Sequence, residues 1–260
     1  MKLWVTGAGG MLGKRVVAAA WGAGHTVAAT TRWQCPLDDL GIILRHVQNF
    51  QPDAIINCAG ALPETRPLDM VVANALGPHN LAYAGVRLVH MSTDCVYAGS
   101  DREHNQWLTP QDLPNPDTLY GRTKLAGEPS GPHVLVVRGS FIGPEHGFLR
   151  WLLDSQGKEI EVWEEAWWNG STAVEMARAL VVLAEGQQTG TIHAAGIQRI
   201  TKAAMAELLC YKLQIGATLV PVETPKLSRV LHPDYELPSF SATLPDLVRE
   251  VKECAAVAAA

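Results

Sequence analysis

The chain has 260 residues, a formal net charge of −5 at pH 7 and 47% hydrophobic residues, enough for one full domain core and a small second lobe. The acidic balance argues against nucleic acid and anionic membranes as partners, because binding to either usually requires a basic face. No run of residues approaches the roughly 18 consecutive apolar positions of a membrane-spanning helix.

The N-terminus and the cysteines indicate the compartment. Residues 1–5 lead directly into a glycine-rich turn, without the charged and apolar regions of a signal peptide. The five cysteines are scattered and include no Cys-x-x-Cys pair, which favours reduced thiols over disulfides or a zinc site. The nine histidines also lack metal-ligand spacing. We therefore expect a cytoplasmic protein that binds no metal.

Short apolar runs alternate with helical patterns in the first half of the chain. The strand runs are apolar throughout, as in a parallel sheet that helices bury on both faces. Repeated strand–helix units imply right-handed crossovers and predict an α/β fold with a doubly wound parallel sheet, the Rossmann fold. Strands are predicted at residues 3–6, 26–31, 54–58, 87–91 and 134–138, and helices at residues 12–21, 38–49, 70–83 and 120–127.

The regular alternation weakens after residue 140. The proline-rich segment 219–238 is predicted to form a loop and lid, and the alanine-rich tail 255–260 is predicted to fray. Helices are predicted over residues 172–185, 202–213 and 244–254, and one strand over residues 191–194.

A glycine-rich turn follows the first strand and opens the first helix. Gly7, Gly10 and Gly13 form the pattern Gly-x-x-Gly-x-x-Gly rather than the commoner Gly-x-Gly-x-x-Gly. Such a turn directs backbone N–H groups and the positive end of a helix toward a pyrophosphate. Gly7 allows the tight turn, Gly10 lets phosphates approach the backbone, and Gly13 lets the helix pack closely on the strand. A flexible turn is the alternative, but the position directly after an N-terminal strand favours a dinucleotide site.

The end of the second strand indicates which dinucleotide binds. A ribose 2′-hydroxyl usually meets an acidic residue here, whereas an arginine accommodates a 2′-phosphate. The sequence has Arg32 at this point and no acidic residue before Asp38, so we predict NADP(H), with an ordinary surface arginine as the alternative. Residues 1–140, with segments from the second half, would form the NADP-binding domain. Residues 141–260 would form a small C-terminal substrate-binding lobe, a cap rather than an independent domain.

Two residues on one helix form the candidate catalytic centre. Tyr120 and Lys124 are spaced i and i+4 and therefore share a helix face. A free phenol has a pKa near 10, and we expect the Lys124 ammonium to lower that of Tyr120 and also to hold the nicotinamide ribose. Tyr120 would donate a proton to a carbonyl oxygen while a hydride arrives at the carbon. Thr93, at the carboxyl end of the fourth strand, would align the substrate oxygen.

Four stretches together resemble the extended short-chain dehydrogenase/reductases, specifically the dTDP-4-dehydrorhamnose reductase family. They are residues 6–13, 57–61, 92–97 and 120–128, and the last is the most specific. The resemblance is clear over residues 2–145 and faint beyond. It implies that NADPH reduces the 4-keto group of a nucleotide-linked 6-deoxyhexose, which gives dTDP-L-rhamnose, so that the partner is a nucleotide sugar.

The resemblance also implies roles for individual residues. Thr93, Tyr120 and Lys124 would form the catalytic triad. Gly10, Met11 and Leu12 would cover the pyrophosphate of the cofactor. Ala59, Gly60 and Ala61 would line the cofactor. The sugar would contact Thr93, Asp94 and Phe141, and Phe141 stands where the family usually has a tryptophan.

Other interpretations of the same residues are open. A C4 epimerase would retain a bound NAD and oxidise and reduce the same carbon, and Arg32 argues against it. A 4,6-dehydratase would need an acidic residue after Asp94, where this chain has Cys95. A non-catalytic member of the group would bind NADP and regulate a partner enzyme. The sequence also leaves a homodimer open.

Two features of the second half have more than one interpretation. Arg229 is equally consistent with a contact to a diphosphate and with a structural arginine. The aromatic rings of Trp163, Trp167 and Trp168 can stack on a nucleobase or pack in the core, and we favour core packing for at least two of them.

Overall fold

A computed structural model describes residues 1–100, 106–223 and 227–259, with side chains up to Cys254, and centres on a sheet of seven parallel strands. Three smaller sheets of two or three strands accompany it. The strands are β1 (Lys2–Thr6), β2 (Thr26–Thr30), β3 (Ala54–Asn57), β4 (Arg87–Met91), β5 (Val134–Gly139), β6 (Phe141–Ile142), β7 (Glu159–Trp163), β8 (Ala166–Trp168), β9 (Ser171–Thr172), β10 (Gly190–Gly196), β11 (Ile200–Thr201), β12 (Thr218–Val222), β13 (Leu227–Ser228) and β14 (Tyr235–Leu237).

Helices connect most of these strands. Between α3 and α4 the chain forms a π-helical segment, Val71–Leu76, and after β4 it forms one short 3-10 turn, Asp94–Val96. The α-helices are α1 (Met11–Gly22), α2 (Leu40–Phe50), α3 (Pro67–Met70), α4 (Gly77–Tyr83), α5 (Leu119–Ala126), α6 (Gly147–Leu153), α7 (Ala173–Glu185), α8 (Lys202–Leu213) and α9 (Phe240–Ala259).

Helical layers bury both faces of the large sheet. Helices α1 and α7 contribute Val16 and Leu180 to one core cluster, and α2 and α4 contribute Ile43 and Leu81 to a second. The strands β1, β3, β4 and β5 between these layers are almost completely buried, which explains why their sequences are continuous apolar runs.

The strand order places a binding crevice beside β1. The order is β14-β10-β5-β4-β3-β1-β2, so the direction of winding reverses between β1 and β3. Doubly wound sheets bind ligands at the carboxyl ends of the strands that flank such a reversal. Here these ends are Thr6 and Asn57, which are register partners and are joined by a hydrogen bond of 2.7 Å from Thr6 Oγ1 to Asn57 Oδ1.

The α/β fold class predicted from the sequence is confirmed, and each strand and helix predicted before residue 140 is present with small shifts at its ends. Helix α2 begins at Leu40 because Asp39 caps it, with Oδ1 accepting a hydrogen bond from the Ile42 nitrogen at 2.9 Å. The helical run predicted to start at residue 70 starts earlier. Pro67 occupies its first turn, where the missing N–H costs nothing.

The second half of the chain is shared between the large sheet and a lobe. Strand β10 pairs with β5, and β14 pairs with β10, so both strands extend the sheet. The lobe is built mainly from α6, α8 and α9, which bury Leu152, Leu209 and Leu247 in a core of their own. The helices and the strand predicted in this half are present, and the role of the lobe in substrate binding stays a prediction.

Two predictions for this half are wrong. The segment predicted as a loop and lid, residues 219–238, contains β12, β13 and β14 in its described part, which excludes residues 224–226. Val220 and Val222 favour extended backbone, and Pro221 is tolerated because β12 is an edge strand of a two-stranded sheet. The helix predicted to end at residue 254 continues as α9 through the alanine-rich tail to Ala259, because alanine is the best helix former. The fraying of this tail stays a prediction, and residue 260 lies outside the described residues.

The three tryptophans of the lobe have different environments. Trp168 is 3% exposed and packs in the lobe core, whereas Trp163 is 46% exposed. Trp167 is intermediate, and the Arg199 guanidinium lies 4.5 Å from the centroid of its ring. The prediction that at least two of these tryptophans pack in the core is therefore wrong, because only Trp168 of the three is buried.

The described residues contain no helix that combines the length and the apolar character of a membrane span. Within the same residues, no three histidine, cysteine, aspartate or glutamate side chains converge in a way that could hold a metal ion. All five cysteines are free thiols.

A buried polar network connects the end of α5 with β5 and β10. Glu128 accepts hydrogen bonds from Arg138, from Nη2 to Oε2 at 2.7 Å and from Nε to Oε1 at 3.0 Å. Arg138 Nη1 donates to the Tyr97 hydroxyl at 2.7 Å, and that hydroxyl lies 3.1 Å from His193 Nε2. His193 Nδ1 lies 3.0 Å from the carbonyl oxygen of Leu108 and donates to it, and the Tyr97 hydroxyl has a second neighbour in the carbonyl oxygen of Thr109 at 3.1 Å.

This histidine makes stability depend on pH. Burial and the nearby Arg138 guanidinium lower the pKa of His193 to about 4, whereas the unfolded chain has a value near 6.5. Below about pH 6.5 the unfolded chain therefore binds a proton that the folded protein does not, and stability falls. We expect this one residue to reduce the free energy of unfolding by up to about 1.4 kcal/mol per pH unit between about pH 6 and 5.

Urea unfolding over that pH range measures the effect. The variant His193→Gln keeps a donor and an acceptor but does not titrate, so its stability should fall less steeply. Equal slopes for the two proteins would contradict this explanation.

Candidate active site

The glycine-rich turn has the shape that its sequence predicts. Gly7 has a φ of +68°, in the left-handed region, and a side chain there would come within 2.5 Å of the Ala59 nitrogen. A side chain at Gly13 would overlap the carbonyl oxygen of Gly7. At Gly10 the nearest atom to an added Cβ is that same oxygen, at 3.3 Å. Gly7 and Gly13 therefore let the turn fold, whereas the outer surface of Gly10 stays accessible.

Helix α1 starts directly after this turn without a side-chain cap. Its N-cap residue is Gly10, which offers no side-chain acceptor to the first N–H groups of the helix. These groups have no partners within the helix and combine with the positive end of the helix dipole. The start of α1 is therefore suited to an anionic group such as a pyrophosphate.

A cavity of about 830 Å³ lies beside the turn, between the loops that follow β2 and β3. Arg32 lines it as predicted, and its guanidinium lies 4.6 Å from the centroid of the Trp33 ring, which also lines the cavity. Asp38 contributes to the same wall. A second arginine, Arg66, lines the cavity too, and its Nε lies 2.9 Å from a carboxylate oxygen of Asp69. Neither Trp33 nor Arg66 is among the site residues predicted from the sequence.

A second cavity of about 180 Å³ adjoins the first and contains the candidate catalytic residues Tyr120 and Lys124 together with Phe141. Gly13, predicted to bind the cofactor, lines neither of these two cavities and packs behind the turn against Gly7. The walls that both cavities share are Gly10, Cys58, Ala59, Gly60, Ala61 and Leu62, and the other residues of the small cavity are Met11, Leu12, Met91, Ser92 and His146.

Thr93 and Asp94 are buried at the end of β4. The Thr93 hydroxyl accepts a hydrogen bond from the Cys95 nitrogen at 3.1 Å and donates its proton to Asp94 Oδ1 at 3.2 Å. It also lies close enough to Tyr120 to lower the pKa of the phenol. A side chain at Gly121 would overlap the carbonyl oxygen of Cys95. This glycine therefore allows α5 to approach the turn closely enough to place the phenol beside the threonine.

The pKa of Tyr120 differs from the sequence-based expectation. Burial has the largest effect and raises the pKa well above the usual value of a phenol; Cys95 also raises it, the hydrogen bond from Thr93 lowers it, and Asp94 raises it. The expectation that the Lys124 ammonium lowers this pKa is therefore wrong, because loss of hydration dominates. The phenol remains protonated at neutral pH and is available as a proton donor.

Lys124 is buried and points toward the end of β4. Its Nζ donates a hydrogen bond to the carbonyl oxygen of Met91 at 2.8 Å. Burial lowers the pKa of this ammonium to about 8, although Glu128 and Cys58 act to raise it. Lys124 is thus mostly charged at neutral pH, beside the wall that both cavities share, where a side chain on Gly60 would lie 4.0 Å from Nζ.

Asn74 supports the site in a way that the sequence analysis missed. From the π-helical segment, its Oδ1 accepts a hydrogen bond from the Ala61 nitrogen at 2.7 Å, and its Nδ2 donates to the Ala61 oxygen at 3.0 Å and to Thr123 Oγ1 at 3.2 Å. Asn74 thereby fixes the loop that lines both cavities to helix α5. The signal in the sequence was a single amide in the otherwise apolar run Val71–Leu76.

Arg229 makes the contacts of a structural arginine. Its Nε donates to the carbonyl oxygen of Tyr97 at 2.9 Å, and its Nη1 lies 3.4 Å from Cys95 Sγ. Its Nη2 lies 3.6 Å from a carboxylate oxygen of Asp117. These contacts attach the segment after β13 to the segment that follows the 3-10 turn.

Comparison with known families shows to which family the chain belongs. Residues 1–233 match the family described as RmlD substrate binding domain. The chain belongs to this family. The match extends well beyond residues 2–145, on which the resemblance in the sequence rests, and includes most of the lobe. The predicted membership in the dTDP-4-dehydrorhamnose reductase group of extended short-chain dehydrogenase/reductases is thereby confirmed.

Relatives of this chain have names that describe reductases. It is 38% identical over 156 residues to dTDP-4-dehydrorhamnose reductase from Mycolicibacterium smegmatis. The aligned residues cover 54% of this chain and 46% of that protein, so the chain spans about half the length of this relative. It is 30% identical over 206 residues to dTDP-4-keto-6-deoxy-D-glucose reductase from Streptomyces niveus, covering 73% of this chain and 70% of that protein.

A solved structure shows the same fold over nearly the whole chain. It is dTDP-4-dehydrorhamnose reductase from Bacillus anthracis in complex with NADP, with a TM-score of 0.83 and 22% identity. The superposition covers 96% of this chain and 99% of that chain.

Proposed function

We propose that this chain catalyses the NADPH-dependent reduction of the 4-keto group of a nucleotide-linked 6-deoxyhexose, with dTDP-4-dehydrorhamnose as substrate and dTDP-L-rhamnose as product. The observation that carries the proposal is that Tyr120, Lys124 and Phe141 meet in a cavity adjoining a larger groove of dinucleotide size. The names of both relatives, which are reductases of dTDP-linked keto sugars, support the substrate class.

The larger cavity fits NADP(H). The uncapped start of α1 and the accessible surface of Gly10 suit the pyrophosphate. Arg32 suits the 2′-phosphate, and the Trp33 ring under its guanidinium holds that cation in the cavity wall. Asp38 is the acidic residue of the same wall, and its presence makes the cofactor preference a necessary test. The shared wall of Ala59, Gly60 and Ala61 would line the path of the cofactor from the large cavity to the small one.

In the proposed reaction, Tyr120 protonates the substrate oxygen. Bound NADPH supplies the hydride. Because burial raises its pKa, Tyr120 keeps its proton at neutral pH until the substrate oxygen gains negative charge and becomes a strong base. The Thr93 hydroxyl, which lies beside Tyr120, would turn its proton from Asp94 Oδ1 to that oxygen and hold it beside the phenol.

Lys124 has an electrostatic role in this scheme. After proton transfer Tyr120 carries a negative charge in a buried place, and a cation on the same helix face offsets the cost of that charge. The hydrogen bond from Lys124 Nζ to Met91 keeps the ammonium at the end of β4, beside the small cavity. From there its other N–H groups would orient the nicotinamide ribose.

The substrate sugar would lie between the end of β4 and Phe141. The Asp94 carboxylate, buried beside Thr93 at the end of β4, would accept a hydrogen bond from a sugar hydroxyl. The Phe141 ring lines the small cavity and offers an apolar surface suited to the 6-methyl group of a deoxyhexose.

Cofactor use distinguishes reduction from epimerisation. An epimerase oxidises and reduces the same carbon with a retained NAD, so it consumes no NADPH, whereas the proposed reduction does. Arg32 in the wall of the large cavity suits a 2′-phosphate and therefore favours the reduction. A regulatory subunit that binds NADP without turnover has no need of this constellation, and turnover decides between the two. We also propose that the chain works in the cytoplasm, because its five free thiols suit a reducing compartment.

The central test follows NADPH consumption at the nicotinamide absorbance, with dTDP-4-keto-6-deoxy-L-mannose generated in situ. We expect rapid consumption by the wild-type chain. The variant Tyr120→Phe should still bind NADPH but turn over at least about a hundredfold more slowly, the usual scale of general acid catalysis. Binding of NADPH without consumption across a panel of nucleotide-linked keto sugars would overturn the enzymatic proposal and favour a regulatory role.

Cofactor choice tests Arg32. The variant Arg32→Asp should lose affinity for NADPH by at least about tenfold more than for NADH, since only NADPH has the 2′-phosphate. Arg45→Asp makes the same charge change at an exposed position on α2 and should leave both affinities unchanged. An equal loss for the two cofactors in Arg32→Asp would remove Arg32 from the phosphate site.

Two glycines of the turn should respond differently to the same added methyl group. Gly10 has φ −78° and ψ 169°, which alanine readily adopts, so Gly10→Ala should keep its thermal stability but lose NADPH affinity by at least about tenfold. Gly13→Ala places its methyl on the Gly7 carbonyl and should lower the stability itself, by about 1–3 kcal/mol. Thermal unfolding without cofactor and NADPH titration measure both effects. Wild-type NADPH affinity in Gly10→Ala would argue against a pyrophosphate at this turn.

A further inference from the structure

The lobe contains a lysine that makes no ion pair or hydrogen bond with any other described residue through its ammonium group. This residue, Lys202, is the first residue of α8. Its Nζ lies 4.8 Å from the centroid of the Phe148 ring and 4.8 Å from that of the Trp168 ring. Aromatic faces attract a cation but do not replace the hydrogen bonds that its N–H groups made to water.

Folding alone does not explain a lysine at this position. The first turn of a helix is the positive end of its dipole, where a cation is unfavourable. Burial of an ammonium without an anionic partner costs further free energy, and its effect here is to lower the pKa of Lys202 to about 8. Residues that oppose stability in this way are expected where a ligand supplies the missing interaction.

The charged and titratable groups that act on Lys202 belong to the candidate substrate site and its surroundings. Asp94 and Cys95 act to raise its pKa, and Arg229 acts to lower it. Asp94 is already engaged, since its Oδ1 accepts from Thr93 at 3.2 Å and from Cys95 Sγ at 3.5 Å. Arg229 has a carboxylate partner of its own in Asp117, at 3.6 Å, whereas the Lys202 ammonium makes no such contact with a described residue.

We propose that Lys202 donates a hydrogen bond to the diphosphate of the nucleotide sugar and anchors the substrate by this group. This inference rests on the proposed function. A diphosphate provides the anionic oxygens that the ammonium lacks, and each nucleotide sugar carries one whatever its base or sugar. The Phe148 and Trp168 rings hold the lysine side chain while its N–H donors remain available to the ligand.

Calorimetric titration of the full chain with nucleoside diphosphates tests the contact. The probes are dTDP, UDP and GDP, each compared with its nucleoside, which lacks the diphosphate. In Lys202→Met the affinity for the preferred diphosphate should fall at least about tenfold, the scale of a charge-assisted hydrogen bond, while nucleoside and NADPH affinities stay unchanged. Lys202→Gln provides a second neutral variant should the first fail to fold, and Lys202→Arg, which keeps the charge, should retain most of the affinity.

The same helix offers a matched control. Lys212, near the other end of α8, is exposed and lies 5.5 Å from the centroid of the Tyr211 ring, so it repeats the lysine–aromatic contact away from the candidate site. Lys212→Met should bind the diphosphates like the wild-type chain. In turnover, Lys202→Met should raise KM for the nucleotide sugar by the same factor as the loss of diphosphate affinity and leave KM for NADPH unchanged.

The outcomes separate this inference from the function on which it rests. Unchanged diphosphate affinity in a folded Lys202→Met or Lys202→Gln variant would overturn the role of Lys202 and leave the reductase proposal intact. Failure of the wild-type chain to bind dTDP, UDP or GDP would overturn the proposed function, and this inference with it.

Discussion

The buried ion pair between Glu128 and Arg138 is the constraint on which the candidate active site depends. Charges removed from water must be matched, and breaking such a pair typically costs about 3–5 kcal/mol. Here both carboxylate oxygens accept from the guanidinium, and Oε1 also accepts from the Ser92 hydroxyl at 2.5 Å. Glu128 follows α5, Arg138 belongs to β5, and Ser92 follows β4. One salt bridge therefore holds the helix that carries Tyr120 and Lys124 against the carboxyl ends of β4 and β5.

The same exclusion of water sets the protonation states at the site. Burial raises the pKa of Tyr120 and lowers that of Lys124, because in both cases it disfavours the charged form. The two shifts have one origin, the loss of hydration, and together they leave a neutral phenol and an ammonium at neutral pH. The small cavity therefore contains a proton donor and a cation on the same helix.

Features fixed by local sequence could be predicted, and features fixed by distant packing could not. The glycine turn, the shared helix face of Tyr120 and Lys124 and the apolar strand runs all arise within a few residues. Strand β12 was missed because it contains Pro221, and β13 and β14 because they have only two and three residues; all three pair with strands far away in the chain. The pKa of Tyr120 was predicted in the wrong direction because its burial depends on the whole fold. Asn74 and Lys202 went unnoticed because their contacts are distant in sequence.

The position of β10 and β14 in the sheet bears on how the protein is made. A chain synthesised from its N-terminus completes β1 to β5 and the glycine turn early, but β5 gains its second neighbour only when β10 has emerged. Until then β5 is an apolar edge strand, the kind of surface that pairs with other chains. The lobe elements α6 to β9 lie within this interval. Segments of the lobe thus alternate along the chain with β10 and β14, since α8 lies between these strands and α9 follows them. The lobe cannot be exchanged between relatives by a single crossover after residue 140 without also replacing the strands that close the sheet.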